Sequence, residues 1–222
     1  MNLLLPFIAV LLGATASWLL KKPSAVRMKL LLAFSGAFLL SSVASHFLPE
    51  IYESGDHDMG IYLIAGVFIQ IILEFFSKGA EHGHLHVHKE VKEFPYLLFG
   101  SLCLHAFLEG MPLQEHGGMV YGIAIHKIPI AFIFASFLWN NDIAKWKSVL
   151  ILMFFAAMSP LGSLLAGELA FFETYMTPIK AIVAGVVLHV STTLILESSE
   201  AHKFNLAKVM VMLMGAVLGF LV

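Results

Sequence analysis

Eight apolar runs, each close to the length of a membrane-spanning helix, divide this chain. They extend roughly from Leu3 to Leu20, Met28 to Leu48, Gly60 to Lys78, Pro95 to Pro112, Gly118 to Trp139, Lys147 to Ala166, Pro178 to Glu197, and Asn205 to Val222. A helix needs about 20 apolar residues to cross the hydrocarbon of a bilayer. Across 222 residues the chain is 59% hydrophobic, above the roughly 45–50% of soluble domains. The runs predict an all-α polytopic membrane protein, one membrane domain over 1–222, with eight transmembrane helices. No polar stretch is long enough to fold alone, and the short joints predict antiparallel neighbours. The first run lacks the leading positive charges of a signal peptide and ends in Lys21 and Lys22, as a retained span does. Cys103 is the single cysteine, so no intramolecular disulfide forms. A net charge of −2 argues against a nucleic-acid partner.

Basic residues set the orientation of such a chain, because they concentrate on the cytoplasmic side. Lys21, Lys22, Arg27 and Lys29 flank the first loop, and Lys78, Lys89 and Lys92 the third. Lys145 and Lys147 mark the fifth, and Lys203 and Lys208 the seventh. The even-numbered loops carry Glu50, Glu53, Asp56, Asp58, Glu115, Glu168 and Glu173, with Lys180 as their one basic residue. With eight spans, both termini are predicted outside and the 79–93 loop in the cytoplasm.

The fourth and fifth runs contain His105, Glu109, His126 and Lys127. An ionisable group at mid-membrane costs about 2.5–3.5 kcal/mol on insertion scales, so four together need a reason. His105 and Glu109 are four apart and share one helix face. At 1.5 Å per residue, Glu109 lies about 5 Å and His105 about 10 Å from the outer end of their run, and His126 about 12 Å from the same side. The depths match across antiparallel helices. An imidazole and a carboxylate so spaced can grip a divalent cation, and Zn²⁺ suits such ligands. The other reading is a buried polar pair hydrogen-bonding between helices. Pro129 and Pro112 remove donors, which is expected to free the carbonyls of Ile125 and Leu108 to line a cavity. Lys127 lies too deep to snorkel. It is expected to pair with a carboxylate such as Glu109, or to stand in for a second cation.

Other residues extend the pattern. His46 and Glu50 close the second run and can form an outer entrance for cations, or an ordinary interfacial helix end. His189, Glu74 and Glu197 are candidate inner-pathway residues, with Gln70 less favoured. Hydrogen bonding between helices is their alternative role. His82, His84, His86 and His88 alternate through the third loop as a weak cytoplasmic metal tract. Small residues in the first, second and seventh runs permit close helix packing.

These residues resemble the ZIP (Zrt-, Irt-like) divalent metal transporters over essentially the full chain. The matching features are His-x-x-x-Glu-Gly at 105–110, His-x-Ile-Pro at 126–129, His-x-x-Pro-Glu at 46–50, and the histidine-rich third loop. The resemblance implies a 3+2+3 arrangement in which the first and last three helices are inverted repeats around the central two. It also implies metal movement into the cytoplasm and homodimers. Many members hold two adjacent metals. Here Ala106, Lys127, Ile130 and Ser159 stand where the family carries second-site ligands. A single site of His105, Glu109 and His126 is therefore expected, needing a fourth ligand from water or another helix, with Lys127 as a charge substitute.

The expected function is transport of zinc, or of iron, manganese or cadmium, as substrate, with no prosthetic group and no enzymatic activity. The expected setting is a prokaryotic plasma (inner) membrane. The alternatives are a membrane metal sensor without transport and an intramembrane zinc hydrolase.

Overall fold

A computed structural model describes residues 2–20, 25–53, 58–77, 94–114, 117–141, 143–197 and 206–222. The described elements are helical. In order they are α1 (Leu5–Leu20), α2 (Ala25–Ser42), α3 (Leu48–Glu53), α4 (Met59–Ser77), α5 (Tyr96–Gly110), α6 (Gly117–Asn140), α7 (Lys145–Glu168), α8 (Ala170–Thr174), α9 (Met176–Glu197) and α10 (Leu206–Leu221). A π-helical segment, Val43–Phe47, joins α2 to α3, and a 3₁₀ turn, Met111–Gln114, extends α5.

Six of these helices are long and apolar enough to cross a membrane, with α2, the π segment and α3 counting as one. Leu5–Leu20 and Leu206–Leu221 are apolar but shorter, at 16 residues each, or about 24 Å. The distribution of side chains is that of a helical membrane protein. Phe75 is 77% exposed and Leu206 78%, while Gln70, Glu109 and His126 are 0% exposed. Large apolar side chains cover the outer surface as well as filling the interior, and a few ionisable and amide groups are buried among them, as helices surrounded by lipid require.

Two prolines shape the helix ends differently from expectation. The second run does not stop at Glu50: the helix continues to Glu53. Pro49 has no N–H and its ring crowds the preceding turn. The backbone widens over Val43–Phe47, and the Leu48 N–H bonds the Val43 carbonyl, so the helix passes the proline instead of breaking. At Pro112 the chain tightens instead. The expected free carbonyl of Leu108 is taken by the Met111 N–H, because a 3₁₀ turn bonds three residues back and needs nothing from Pro112.

Sequence neighbours are not the main packing partners, contrary to expectation. The principal pairs are α1 with α6, α2 with α10, α4 with α9, and α5 with α7. A short loop constrains only adjacent helix ends. Lipid gives helices no hydrophobic reason to associate, so close backbone approach decides partners. A Cβ at Gly66 or Gly185 would collide with the backbone carbonyl of Ile182 or Leu63, locking α4 to α9. Gly162 meets Phe107 across α7 and α5, and Gly215 meets Phe34 across α10 and α2.

Two helix sets result. One apolar core comes from α1, α5, α6 and α7, with Leu102, Ala106, Phe134 and Phe155 at its centre. A second comes mainly from α2, α3, α4 and α9, with the first turns of α6 inserted into it. The two sets meet where α4 packs on α5 and α2 on α6.

Candidate metal centre

His105 and Glu109 lie one turn apart on α5, and His126 and Lys127 are consecutive on α6. All four are buried. His105 Nε2 stands 3.0 Å from Glu109 Oε1, and His126 Nε2 stands 3.9 Å from the same oxygen. The two imidazole rings are 6.0 Å apart at 81°. One ligand atom from each of His105, Glu109 and His126 falls within 4.8 Å of the others. Two donors held about 2.0–2.1 Å from one tetrahedral ion stand about 3.4 Å apart. The separations of 3.0 and 3.9 Å straddle that value.

The donor chemistry agrees with the spacing. His105 Nδ1 lies 2.9 Å from Gln70 Oε1 on α4. An amide oxygen only accepts, so Nδ1 carries the proton and Nε2 keeps its lone pair. That lone pair faces Glu109, yet His105 Nε2 and Glu109 Oε1 form no hydrogen bond among the described residues. Buried polar atoms left this way are costly. A cation between them would satisfy both.

Lys127 uses the other carboxylate oxygen. Its Nζ donates to Glu109 Oε2 at 3.0 Å and sits 5.6 Å from the centre of the Phe155 ring. Glu109 therefore divides its oxygens, Oε1 towards the histidines and Oε2 towards the ammonium. A divalent ion would add two positive charges to a site whose one carboxylate is already paired, which weakens its hold.

Among the described residues, the positions read as second-site replacements belong to no further ligand cluster. Ser159 Oγ donates to the Ala106 carbonyl at 2.8 Å, tying α7 to α5, and Ile130 is buried in the apolar core.

Three of the other sequence-selected residues, Glu50, Glu74 and His189, form two pairs apart from the three candidate ligands. Glu50 Oε1 accepts from Lys180 Nζ at 2.8 Å, joining α3 to α9, so the acidic entrance has part of its charge compensated. His46 is exposed in the π segment, its ring 6.5 Å from Phe220. Glu74 Oε2 lies 2.7 Å from His189 Nε2, joining α4 to α9. Gln70 and Glu74 are one turn apart on α4, so the centre and the Glu74–His189 pair lie on successive turns of one helix. The side chain of Glu197 and the loop residues His82, His84, His86 and His88 lie outside the described residues.

Two residues carry more than their sequence signal suggested. Gln70 is the direct partner of His105, although a lone glutamine in an apolar helix reads first as helix–helix glue. Lys180 neutralises Glu50. Its signal was visible, as the one basic residue among the acidic loops. Comparison of the chain with protein-family models and with curated proteins finds no match.

Proposed function

We propose that this chain carries a divalent metal ion, zinc or a relative such as iron, manganese or cadmium, across a membrane into the cytoplasm. The single site lies between α5 and α6. The observation that carries this reading is the convergence of His105, Glu109 and His126, buried, with donor separations suited to one ion. In this reading the chain is a ZIP-type transporter of a prokaryotic plasma membrane with eight spans and both termini outside. The 16-residue α1 and α10 cross by local thinning of the bilayer.

An inverted-repeat arrangement is supported by the packing pairs. Exchanging α1 with α7, α2 with α9, α4 with α10, and α5 with α6 turns the α1–α6 pair into α7–α5. It turns α2–α10 into α9–α4, and leaves α2–α9 and α1–α7 unchanged. A hydrated ion enters past His46 and Glu50, exchanges water for His105, Glu109 and His126, and leaves past Glu74, His189 and Glu197 to the loop histidines. The two helix sets shift against each other to alternate access.

A second reading, a sensor that binds metal without moving it, is favoured by the Lys127–Glu109 ion pair, which occupies half of the carboxylate. Zn²⁺ uptake into proteoliposomes separates the two. Uptake by the native chain that vanishes in His105→Ala supports transport through this site. Zinc binding that depends on His105 without uptake supports the sensor, and uptake indifferent to His105→Ala rejects the site.

A further inference from the structure

We propose that Gln70 is the positioning residue that prepares His105 for metal, and that it ties the affinity of the site to the alignment of the two helix sets. The proposal rests on reading His105, Glu109 and His126 as a metal centre.

Several polar contacts between helices among the described residues stay within one helix set. Ser17–Ser136, Ser159–Ala106, Gln114–Ser163 and Lys127–Glu109 lie within the set containing α1, α5, α6 and α7. Lys180–Glu50 and His189–Glu74 lie within the other, and Lys208–Ile195 ties α10, which packs on α2, to α9 of that same set. The hydrogen bond from His105 Nδ1 to Gln70 Oε1 crosses from one set to the other, and it ends on a metal ligand.

The chemistry of that contact is directional. A neutral imidazole has one proton and two nitrogens. If the proton moved to Nε2, it would point at Glu109 Oε1, 3.0 Å away. A hydrogen bond to the carboxylate would then consume both donor atoms and close the site. Gln70 Oε1 takes the proton on Nδ1 and leaves Nε2 facing the centre. A glutamine serving only as glue would be expected to use both ends of its amide. Gln70 is fully buried, and its Nε2 has no hydrogen-bond partner among the described residues. The oxygen is the end in use.

A consequence follows for release. Gln70 belongs to α4 and His105 to α5, so a shift of one set along the other by more than a hydrogen-bond length removes the acceptor. The site then loses its orienting partner. Affinity is highest in the alignment seen here and falls when the sets move, which lets a carrier give up its ion.

The test uses the full chain in lipid nanodiscs, with Zn²⁺ as the probe. Gln70→Met keeps length and removes the acceptor. Gln70→Glu keeps an acceptor. Zinc affinity is expected to fall about 10–100-fold in Gln70→Met and to be largely retained in Gln70→Glu. Histidine ¹⁵N spectra of the metal-free native chain are expected to place the His105 proton on Nδ1, the signal being identified by its loss in His105→Ala. In Gln70→Met that signature is expected to shift towards Nε2. In proteoliposomes the half-saturating zinc concentration of Gln70→Met should rise without a fall in maximal rate.

Native affinity in Gln70→Met, equal losses in both variants, or a native His105 protonated on Nε2 overturns the proposal. A lowered maximal rate at unchanged half-saturation overturns the coupling. A native chain that binds none of Zn²⁺, Fe²⁺, Mn²⁺ and Cd²⁺ overturns the metal reading itself, and the proposal with it. A native chain that binds while Gln70→Met binds equally removes Gln70 alone.

Discussion

At Glu109 one carboxylate serves two masters, a pair of imidazoles through Oε1 and an ammonium through Oε2. This division sets the character of the centre. Removing the ammonium with Lys127→Met leaves a buried carboxylate without its counter-charge. Breaking a buried pair in this way costs about 3–5 kcal/mol. The metal-free variant should unfold at a lower temperature than the native chain. Zinc should restore much of the loss, since the ion takes over the counter-charge, and its affinity should rise at least tenfold, or about 1.4 kcal/mol. Thermal unfolding with and without zinc, together with a zinc titration, measures both effects. A variant destabilised equally with and without metal would mean that the ion does not reach Glu109. The sequence made this pairing one of two expectations, because an ammonium too deep to snorkel needs a carboxylate and Glu109 lies in the neighbouring run. It did not reveal the partner of Gln70. The identity of an amide says nothing about which of several facing helices it will meet.

The glycines at the helix crossings carry the packing. Gly66 and Gly185 bring α4 and α9 so close that any side chain must enter the other backbone. Gly66→Leu should cost about 3 kcal/mol or more, the upper end of the overpacking range, and separate Glu74 from His189. Loss of monodisperse, heat-stable protein in detergent is the expected result. Gly100 is the control, since a Cβ there meets nothing within 4 Å. Gly100→Ala should be neutral or gain up to about 1 kcal/mol from helix propensity alone. Equal destabilisation by both would mean that close approach is not what joins these helices. The positions of the elements were legible in the sequence to within a few residues, because hydrocarbon thickness dictates run length. The exceptions are proline sites. The second helix passes Pro49 through a π-helical segment, and the 3₁₀ turn at Pro112 occupies the Leu108 carbonyl. Each outcome depends on how the backbone redistributes one missing donor.

For the whole molecule, the expected eight-span path makes a sidedness prediction that the lone buried cysteine makes easy to test. In a Cys103→Ala background, Tyr175→Cys lies after the sixth span and Asn140→Cys at the end of the fifth. A membrane-impermeant maleimide applied to intact cells should label Tyr175→Cys, and should label Asn140→Cys only after lysis. Labelling of both from outside would remove one span from between them and undo the orientation drawn from the lysines. Sidedness is set at insertion by the basic residues that flank each span, and labelling measures it directly.

Hydropathy and spacing alone determined that this is a helical membrane protein, where most of its helices begin and end to within a few residues, and that His105 and Glu109 in one apolar run have His126 and Lys127 in the next. Each of these follows from local rules: bilayer thickness, helical rise, and the cost of a charge in lipid. Only the tertiary structure decided that α1 joins α6 rather than α2, that Gln70 reaches His105 from the other helix set, that Lys180 covers Glu50, and that Glu74 meets His189. Those outcomes depend on which backbones can approach most closely. Close approach is a property of two surfaces together, and neither helix carries it in its own sequence.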